Sequence, residues 1–173
     1  MSTISAYFIP GSKFTVGQFR IKVKAVLDKL SLIDGYYDEE DNTYAHGQAI
    51  IFEYASIHDT DKNKLIPEAS SSGYGATCIN CNTDIDEGLY GIINDYYDFE
   101  GESGKEKDMA DLKLVCSNCE KTMKLKDVKF KQPVILTNHF FQFVDIDDEI
   151  SDDILTQIEK ELGTKLTLIY ERM

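Results

Sequence analysis

The sequence has few of the features that mark a membrane protein, an exported protein or a nucleic-acid-binding protein. Its uninterrupted apolar runs are only a few residues long, too short to cross a bilayer. Its first residues lack a charged segment followed by an apolar stretch, so we expect no signal peptide. Only 18 lysines and arginines oppose 31 aspartates and glutamates, and the net charge is −13. Such a chain repels phosphate backbones, so we expect a basic protein as the partner and not a nucleic acid.

Residues suited to catalysis are also scarce. The three histidines are His46, His58 and His139, and no cysteine lies outside two CxxC pairs. The first two flank a predicted strand, where surface exposure explains them, and the third lies in an aromatic strand, where a core position explains it. Residues 101–105 lack the length of a phosphate loop and are followed by Glu106 where Ser or Thr is required. We therefore expect that the protein is not an enzyme.

All four cysteines fall in two matched pairs, Cys78-Ile-Asn-Cys81 and Cys116-Ser-Asn-Cys119. CxxC spacing lets one tight turn direct two thiolates at one ion, and two such pairs predict a tetrahedral zinc site. Because four thiolates leave no position for water, the zinc ion is expected to be structural. Two disulfides, a redox CxxC or four unrelated buried thiols are the alternatives. Unpaired thiols without an export signal favour the cytoplasm.

The residues before the cysteine segment predict a strand, a helix and a second strand. Residues 4–9 are an apolar strand candidate. A helix with Thr15 as its N-cap follows, and we expect it to end at Gly35. Residues 48–54 are apolar at their centre and predict the second strand, buried on both faces.

The same order recurs after the cysteine segment. Residues 134–146 predict a long strand, Ser151 is the expected N-cap of a helix that ends at Gly163, and residues 166–170 alternate like a last strand. Two strand–helix–strand halves indicate an α+β fold, a ferredoxin-like sandwich with two helices on one face of an antiparallel sheet. The predicted divisions are residues 1–69 and 132–173 for the two halves and 70–131 for an inserted zinc ribbon.

Several features from Cys78 onward form a combined pattern. They are the two CxxC pairs, the aromatic-acidic stretch from Leu89-Tyr90 to Tyr96-Tyr97, the strand to Phe130, the strand with Asn138-His139-Phe140-Phe141, and the ending from Glu161-Leu162-Gly163 to Ile169. With this pattern the chain resembles an uncharacterised family of bacterial zinc-ribbon proteins that often carry the label "sugar ABC transporter ATPase". The resemblance implies the inserted ribbon and no activity, since the label requires the phosphate loop that this chain lacks.

Two segments combine acidic residues with aromatic ones. Residues 34–61 and residues 84–102 contain no lysine or arginine, and we expect the partner to contact residues 34–47 and 84–102. Tyrosine offers a large contact area at little cost in entropy, and surrounding acids attract a basic partner. The alternative is a solvated acidic loop whose tyrosines pack under the ribbon. The candidate partner-binding residues are Tyr36, Tyr37, Asp38, Glu39, Glu40, Tyr44, Tyr90, Tyr96, Tyr97 and Asp98.

These features lead to two hypotheses for the function. The first is a cytoplasmic protein-binding module of the immunity or antitoxin kind that neutralises a basic toxin or enzyme through its acidic, tyrosine-rich face. The alternative is a zinc-ribbon regulatory factor associated with nucleic acid, which a cluster of lysines after the second CxxC pair favours. A solubilising strand face also explains that cluster, which comprises Lys121, Lys124, Lys126, Lys129 and Lys131.

Overall fold

The computed structural model describes residues 4–38, 42–66, 73–103 and 107–172, without the side chains of residue 36 and residues 97–103. In these ranges it has eight strands and three α-helices. They are β1 (Ile4–Pro10), α1 (Gln18–Lys29), β2 (Ile33–Asp38), β3 (Thr43–His46), β4 (Tyr54–Ile66), α2 (Asp86–Ser103), β5 (Lys113–Val115), β6 (Thr122–Lys124), β7 (Ile135–Val144), α3 (Asp152–Leu162) and β8 (Leu166–Arg172).

The chain forms two compact units. The larger unit combines Met1–Asp61 with Asn138–Met173, and the smaller unit is Lys62–Thr137. A six-stranded sheet has the order β2-β3-β4-β7-β1-β8, and the pairs β2–β3, β3–β4, β1–β7 and β1–β8 are antiparallel. The fold is therefore a mixed one of helices and an antiparallel sheet, as the sequence predicts. No helix in the described ranges is long and apolar enough to cross a membrane.

The core of the larger unit lies between the sheet and helices α1 and α3. Alternate residues of a strand point to the same face, and on this face Phe8 of β1 stacks on Phe141 of β7 with ring centroids 4.5 Å apart. Phe19 and Leu27 of α1 and Ile158 of α3 are fully buried in the same cluster. Both helices therefore bury their apolar stripes in one core.

Helix α3 begins and ends where the sequence predicts. The hydroxyl of Ser151 accepts a hydrogen bond from the N–H of Ile154 at 3.4 Å, and Asp152 and Asp153 occupy the first turn. Gly163 ends the helix in the left-handed conformation with φ 72°, which glycine adopts without the steric penalty of a Cβ atom. Both capping residues directly flank the helix, so the local sequence is enough to predict where it begins and ends.

Helix α1, in contrast, is capped by a residue distant in sequence, and the prediction of Thr15 as N-cap is wrong. The N-cap position is Gly17, which has no side chain to accept a hydrogen bond. Oδ2 of Asp59 in β4 accepts hydrogen bonds from the N–H groups of Gly17 at 2.9 Å and of Arg20 at 2.8 Å. The carboxylate thus satisfies two free donors of the first turn and faces the positive end of the helix dipole.

The other oxygen of Asp59 contacts a buried histidine. Oδ1 lies 3.2 Å from Nε2 of His139 in β7, and the two side chains are 1% and 7% exposed. The ring of Phe19 packs edge-on against the imidazole with centroids 5.3 Å apart. A single carboxylate therefore joins strand β4, strand β7 and helix α1 inside the larger unit.

Two predicted boundaries differ from the structure. Helix α1 ends at Lys29 and not at Gly35, because Ser31 adopts a positive φ of 54° and the chain then enters β2. Residues 48–54 are irregular up to Tyr54, where β4 begins. Their apolar character is explained by burial, since Phe52 stacks on Phe143 in the core with centroids 4.6 Å apart.

The smaller unit has a separate core built around helix α2. Leu89, Ile93 and Tyr96 of α2 are buried in it together with Leu114 of β5 and Met123 of β6. The sequence segment 84–102, expected to be an acidic loop or surface, is thus largely a helix. Its first-turn acids, Asp86 and Glu87, stand at the positive end of the helix dipole.

We predict that Asp59→Ala lowers the free energy of unfolding of the larger unit by about 2–3 kcal/mol, because it removes the cap of helix α1 and the buried contact with His139. Chemical unfolding followed by far-UV circular dichroism measures the change. Glu53→Gln removes the same charge from an exposed side chain and is the control, expected to change the value by less than about 0.5 kcal/mol. Equal effects of the two substitutions would contradict the capping role.

Candidate metal centre

The structure brings the four cysteines of the chain together. The Sγ atoms of Cys78, Cys81, Cys116 and Cys119 all lie within 4.8 Å of one another. Cys78 and Cys119 are 3.7 Å apart and Cys81 and Cys116 are 3.6 Å apart, far longer than the roughly 2.05 Å of a disulfide bond. All four thiols are free, two of them buried. The four sulfurs are positioned to hold a metal ion.

The first CxxC pair forms a tight turn that closes on itself. The N–H of Cys78 donates to the carbonyl of Thr83 at 2.9 Å, and the N–H of Asn82 donates to the carbonyl of Cys78 at 2.9 Å. Asn82 adopts a positive φ of 58°, which asparagine tolerates better than most residues. This turn aims both thiols of the pair in one direction.

The second CxxC pair repeats this turn at the equivalent positions. The N–H of Cys116 donates to the carbonyl of Lys121 at 3.1 Å, and the N–H of Glu120 donates to the carbonyl of Cys116 at 2.9 Å. Glu120 has the same φ of 58° as Asn82, but a glutamate side chain gains no local hydrogen bond that favours this conformation. The two turns therefore share one geometry, and the second contains a strained residue.

Hydrogen bonds around the first pair stabilise its thiolates. The hydroxyl and backbone of Thr83, and then the side chain of Asn118, lower the pKa of Cys81 to about 6. Burial raises the pKa of Cys78, but hydrogen bonds from the backbone of Asn80 and Cys81 and contacts with the neighbouring thiols bring it below its usual value. Donors aimed at sulfur favour the charged form that binds a metal.

Cys119 holds its proton more tightly than an ordinary cysteine when no ion is bound. The backbone N–H of Lys121 lowers its pKa, but burial and the three neighbouring sulfur atoms together raise it to about 11. Crowded thiolates repel one another, so only some of the four can be charged without a cation. A metal ion bound here deprotonates its ligands and relieves that repulsion.

The chain packs closely around the two turns. Asp86, at the start of α2, accepts hydrogen bonds from the N–H of Gly75 at 3.0 Å and from the N–H of Ala76 at 2.7 Å. A Cβ atom added to Gly88 of the same helix would stand 3.1 Å from Leu114, so glycine permits the close approach of α2 to β5. Asp86 and Gly88 support the site without contacting its sulfurs, and only their positions in the fold reveal this role.

The first predicted partner surface lies on the β2–β3 hairpin. Tyr37 is 37% exposed and packs against buried Tyr44 with ring centroids 4.9 Å apart. Asp38 is opposite Thr43 in the ladder and half-buried. Glu39 and Glu40 lie outside the described residues, as does the side chain of Tyr36. Of the described tyrosine side chains in this segment, Tyr37 is the exposed one.

The second predicted partner surface lies on helix α2. Tyr96 is buried in the core of the smaller unit. Tyr90 is half-buried and packs against Tyr74 with ring centroids 5.2 Å apart. The side chains of Tyr97 and Asp98 lie outside the described part of the chain. The two described tyrosines of α2 thus pack into the smaller unit, and the hairpin offers the more exposed aromatic side chain.

The histidines do not gather with other reactive side chains into a catalytic arrangement in the described residues. His46 is exposed, with Nδ1 2.9 Å from the carbonyl of Gly47. His58 is half-buried, stacked on Phe140 with ring centroids 4.8 Å apart, and His139 is the buried partner of Asp59.

No protein-family model matches the sequence, and no curated protein and no solved structure is significantly similar to it.

We predict that Glu120→Gly stabilises the metal-loaded smaller unit by about 0.5–1 kcal/mol, because glycine adopts the positive φ without strain. Chemical unfolding of the metal-loaded chain, followed by release of the ion to a chromogenic chelator, reports on this unit alone. Glu120→Ala removes the carboxylate but keeps the strain, so it is the matched control and should give no gain. Equal stabilisation by both substitutions would show that charge, and not backbone strain, is the cause.

Proposed function

We propose that the protein is a metal-stabilised binding protein of the immunity or antitoxin kind, which captures a basic protein through its β2–β3 hairpin. The observation behind this proposal is the arrangement of Tyr37 on the hairpin. Its ring rests on the buried ring of Tyr44, and its hydroxyl donates a hydrogen bond to Oδ1 of Asn42. An aromatic side chain held in place before binding loses little entropy when a partner covers it.

The surroundings of Asn42 add to this ordering. Arg20 of α1 donates to Oδ1 of Asn42 from Nη1 at 2.8 Å and to the carbonyl of Ile57 from Nη2 at 2.7 Å. The guanidinium thus joins Asn42, the residue that precedes β3, to helix α1 and strand β4. The contacts of Asn42 therefore help to hold the Tyr37 side chain in place before a partner binds.

The position and charge of β2 favour a basic partner. β2 is the first strand in the order of the sheet, so one of its edges has no neighbouring strand in the described sheet. Asp34 is exposed and Asp38 is half-buried on this strand, and the chain as a whole has a net charge of −13. An edge strand can accept a further strand, and the surrounding negative charge accelerates association with a basic surface.

We infer that the ion held by the four cysteines is zinc. A tetrahedron with Zn–S bonds of about 2.3 Å has edges of about 3.8 Å. The Cys78–Cys119 and Cys81–Cys116 separations of 3.7 and 3.6 Å are close to this value. Four thiolates fill the coordination sphere, so the zinc ion supplies folding energy to the smaller unit and no catalysis.

We also infer that the larger unit is a ferredoxin-like sandwich to which the β2–β3 hairpin has been added. Without the hairpin, its elements follow one another as β1-α1-β4 and β7-α3-β8, and their strands have the order β4-β7-β1-β8. Each strand–helix–strand half is split by a strand of the other, which is the arrangement of a split βαβ fold. The hairpin proposed to bind the partner extends the β4 edge of this sheet.

For the zinc site we predict one zinc ion per chain by metal analysis of protein purified without chelators. Cys116→Ser should abolish stoichiometric zinc and unfold the smaller unit, because the ion contributes on the order of 10 kcal/mol to its folding. Mass spectrometry that finds two disulfides, or metal analysis that finds iron or no metal, would contradict the assignment.

For the partner we predict a one-to-one complex with a basic, toxic protein, for which the product of the adjacent gene is the first probe. Tyr37→Ala should raise the dissociation rate at least about tenfold, because it removes the aromatic anchor. The pair Asp34→Asn and Asp38→Asn should instead lower the association rate severalfold and weaken its dependence on salt. Surface plasmon resonance at several ionic strengths separates the two effects.

Two controls make this test specific. Tyr37→Phe keeps the ring and loses only the bond to Asn42, so its effect on dissociation should be much smaller than that of Tyr37→Ala. Asp153→Asn removes an exposed charge from α3 and should leave both rates unchanged within about twofold. A complex that forms equally well with Tyr37→Ala, or an adjacent gene product that is neither bound nor toxic, would contradict the proposal.

A further inference from the structure

The β5–β6 hairpin of the smaller unit has an inner and an outer face. Leu114 and Met123 form a cross-strand pair on the inner face and are buried in the core. The next pairs in the ladder belong to the outer face, which we call the ribbon face: Lys113 opposite Lys124, and Val115 opposite Thr122.

The charges of the ribbon face oppose the charge of the rest of the chain. Lys113 and Lys124 stand directly opposite each other, an arrangement that destabilises a two-stranded sheet. Asp111 pairs with Lys124 at 2.7 Å. Among the described residues, none has a carboxylate oxygen within 4.0 Å of the Nζ atom of Lys113 or Lys121. Lys113 on this face and Lys121, which directly precedes β6, therefore carry charge that no described carboxylate compensates.

Apolar side chains accompany these lysines. Val115 is 59% exposed beside the second CxxC turn, and Ile79 is 41% exposed at the tip of the first. A shallow cavity of about 460 Å³ is lined by Ile79 and by Thr122, the ladder partner of Val115. Lys113, Lys121, Lys124 and the acidic Asp127 also line it. The surface thus combines positive charge, exposed aliphatic groups and a recess.

We propose that the ribbon face binds an extended, acidic segment of a second protein that carries apolar side chains between its acids. Lysines attract the carboxylates, the exposed Val115 packs against an apolar side chain of the segment, and the recess beside Ile79 receives another. Nucleic acid fits less well, since none of the described residues that line the recess is aromatic and able to stack on a base, and the net charge of −13 repels a polyanion.

The strand geometry sets the spacing that this segment must have. Lys113 and Val115 are two residues apart on β5, so their side chains leave the same face about 6.8 Å apart. An extended peptide has the same repeat. It therefore matches this face when an acidic and an apolar residue are also two positions apart, as in an acid-x-apolar pattern. This surface belongs to the smaller unit and is independent of the hairpin proposed to bind the basic partner.

The test is a titration of the full-length, metal-loaded chain with the fluorescein-labelled peptide Glu-Thr-Leu-Thr-Glu-Thr-Leu-Thr-Glu, followed by anisotropy and by ¹H–¹⁵N NMR. We expect saturable binding that weakens with salt, and shift changes at residues 79–80, 113–115 and 121–124. Lys113→Gln with Lys121→Gln, and separately Val115→Ser, should each weaken binding at least about fivefold.

Matched controls distinguish this site from a general attraction of opposite charges. Lys129→Gln removes an exposed lysine of the same unit that does not line the cavity, and it should change affinity less than about twofold. The peptide with serine in place of leucine keeps its charge and should lose most of its affinity. No binding at millimolar peptide, or binding unchanged in the ribbon-face variants, would overturn the proposal. So would tighter binding of a 20-nucleotide oligothymidine or oligouridine, which would assign the face to nucleic acid.

Discussion

Four cysteine sulfurs placed within 4.8 Å of one another, where they can share one cation, are the feature around which the smaller unit is built. Without an ion, burial and the neighbouring cysteine sulfurs raise the pKa of Cys119 to about 11, so the four sulfurs cannot all be charged. A bound cation would replace the repulsion between thiolates by attraction and would hold two turns with the same hydrogen-bond pattern at one point. Helix α2 and the β5–β6 hairpin then pack on a core that includes Cys78 and Cys116 themselves. Glu120 directly follows Cys119, so bonds from that cysteine to a bound ion would hold the turn and offset the strain at Glu120.

The larger unit is organised by a different polar contact, the buried carboxylate of Asp59. It joins α1 to β4 and β7, and the same helix supplies Arg20, whose guanidinium donates to Asn42. Asn42 in turn accepts a hydrogen bond from Tyr37, so the proposed binding residue is linked through Arg20 and α1 to the core of the larger unit. We propose one binding surface in each unit. In the larger unit it is the acidic β2–β3 hairpin with Tyr37 as its aromatic anchor, and in the smaller unit it is the lysine-bearing ribbon face with exposed aliphatic groups. Because the net charge of the chain is strongly negative, the lysine-bearing face differs in charge from the rest of the protein, and we expect it to bind a different partner from the acidic hairpin.

The sequence predicts the local features of this protein better than the distant ones. The CxxC turns and helix α3, with Ser151 and Gly163 at its ends, are determined within a few residues and were predicted correctly. Strand β4 was missed because it contains Asp59, whose partners on α1 and β7 are distant in sequence. Residues 48–54 resemble a strand because Phe52 is buried, although their backbone is irregular. Helix α2 resembles a loop because acids, glycines and tyrosines are common in it, and only its core contacts explain those residues.

Amide hydrogen exchange with and without a strong zinc chelator tests most directly whether one metal centre holds the smaller unit while the larger unit folds on its own core. We expect that removal of the metal exposes the amides of residues 73–85 and 112–131 to rapid exchange, while β1, α1, α3 and β8 keep their protection. Protection that persists throughout the smaller unit after complete removal of the metal would contradict it. So would a simultaneous loss of protection in both units.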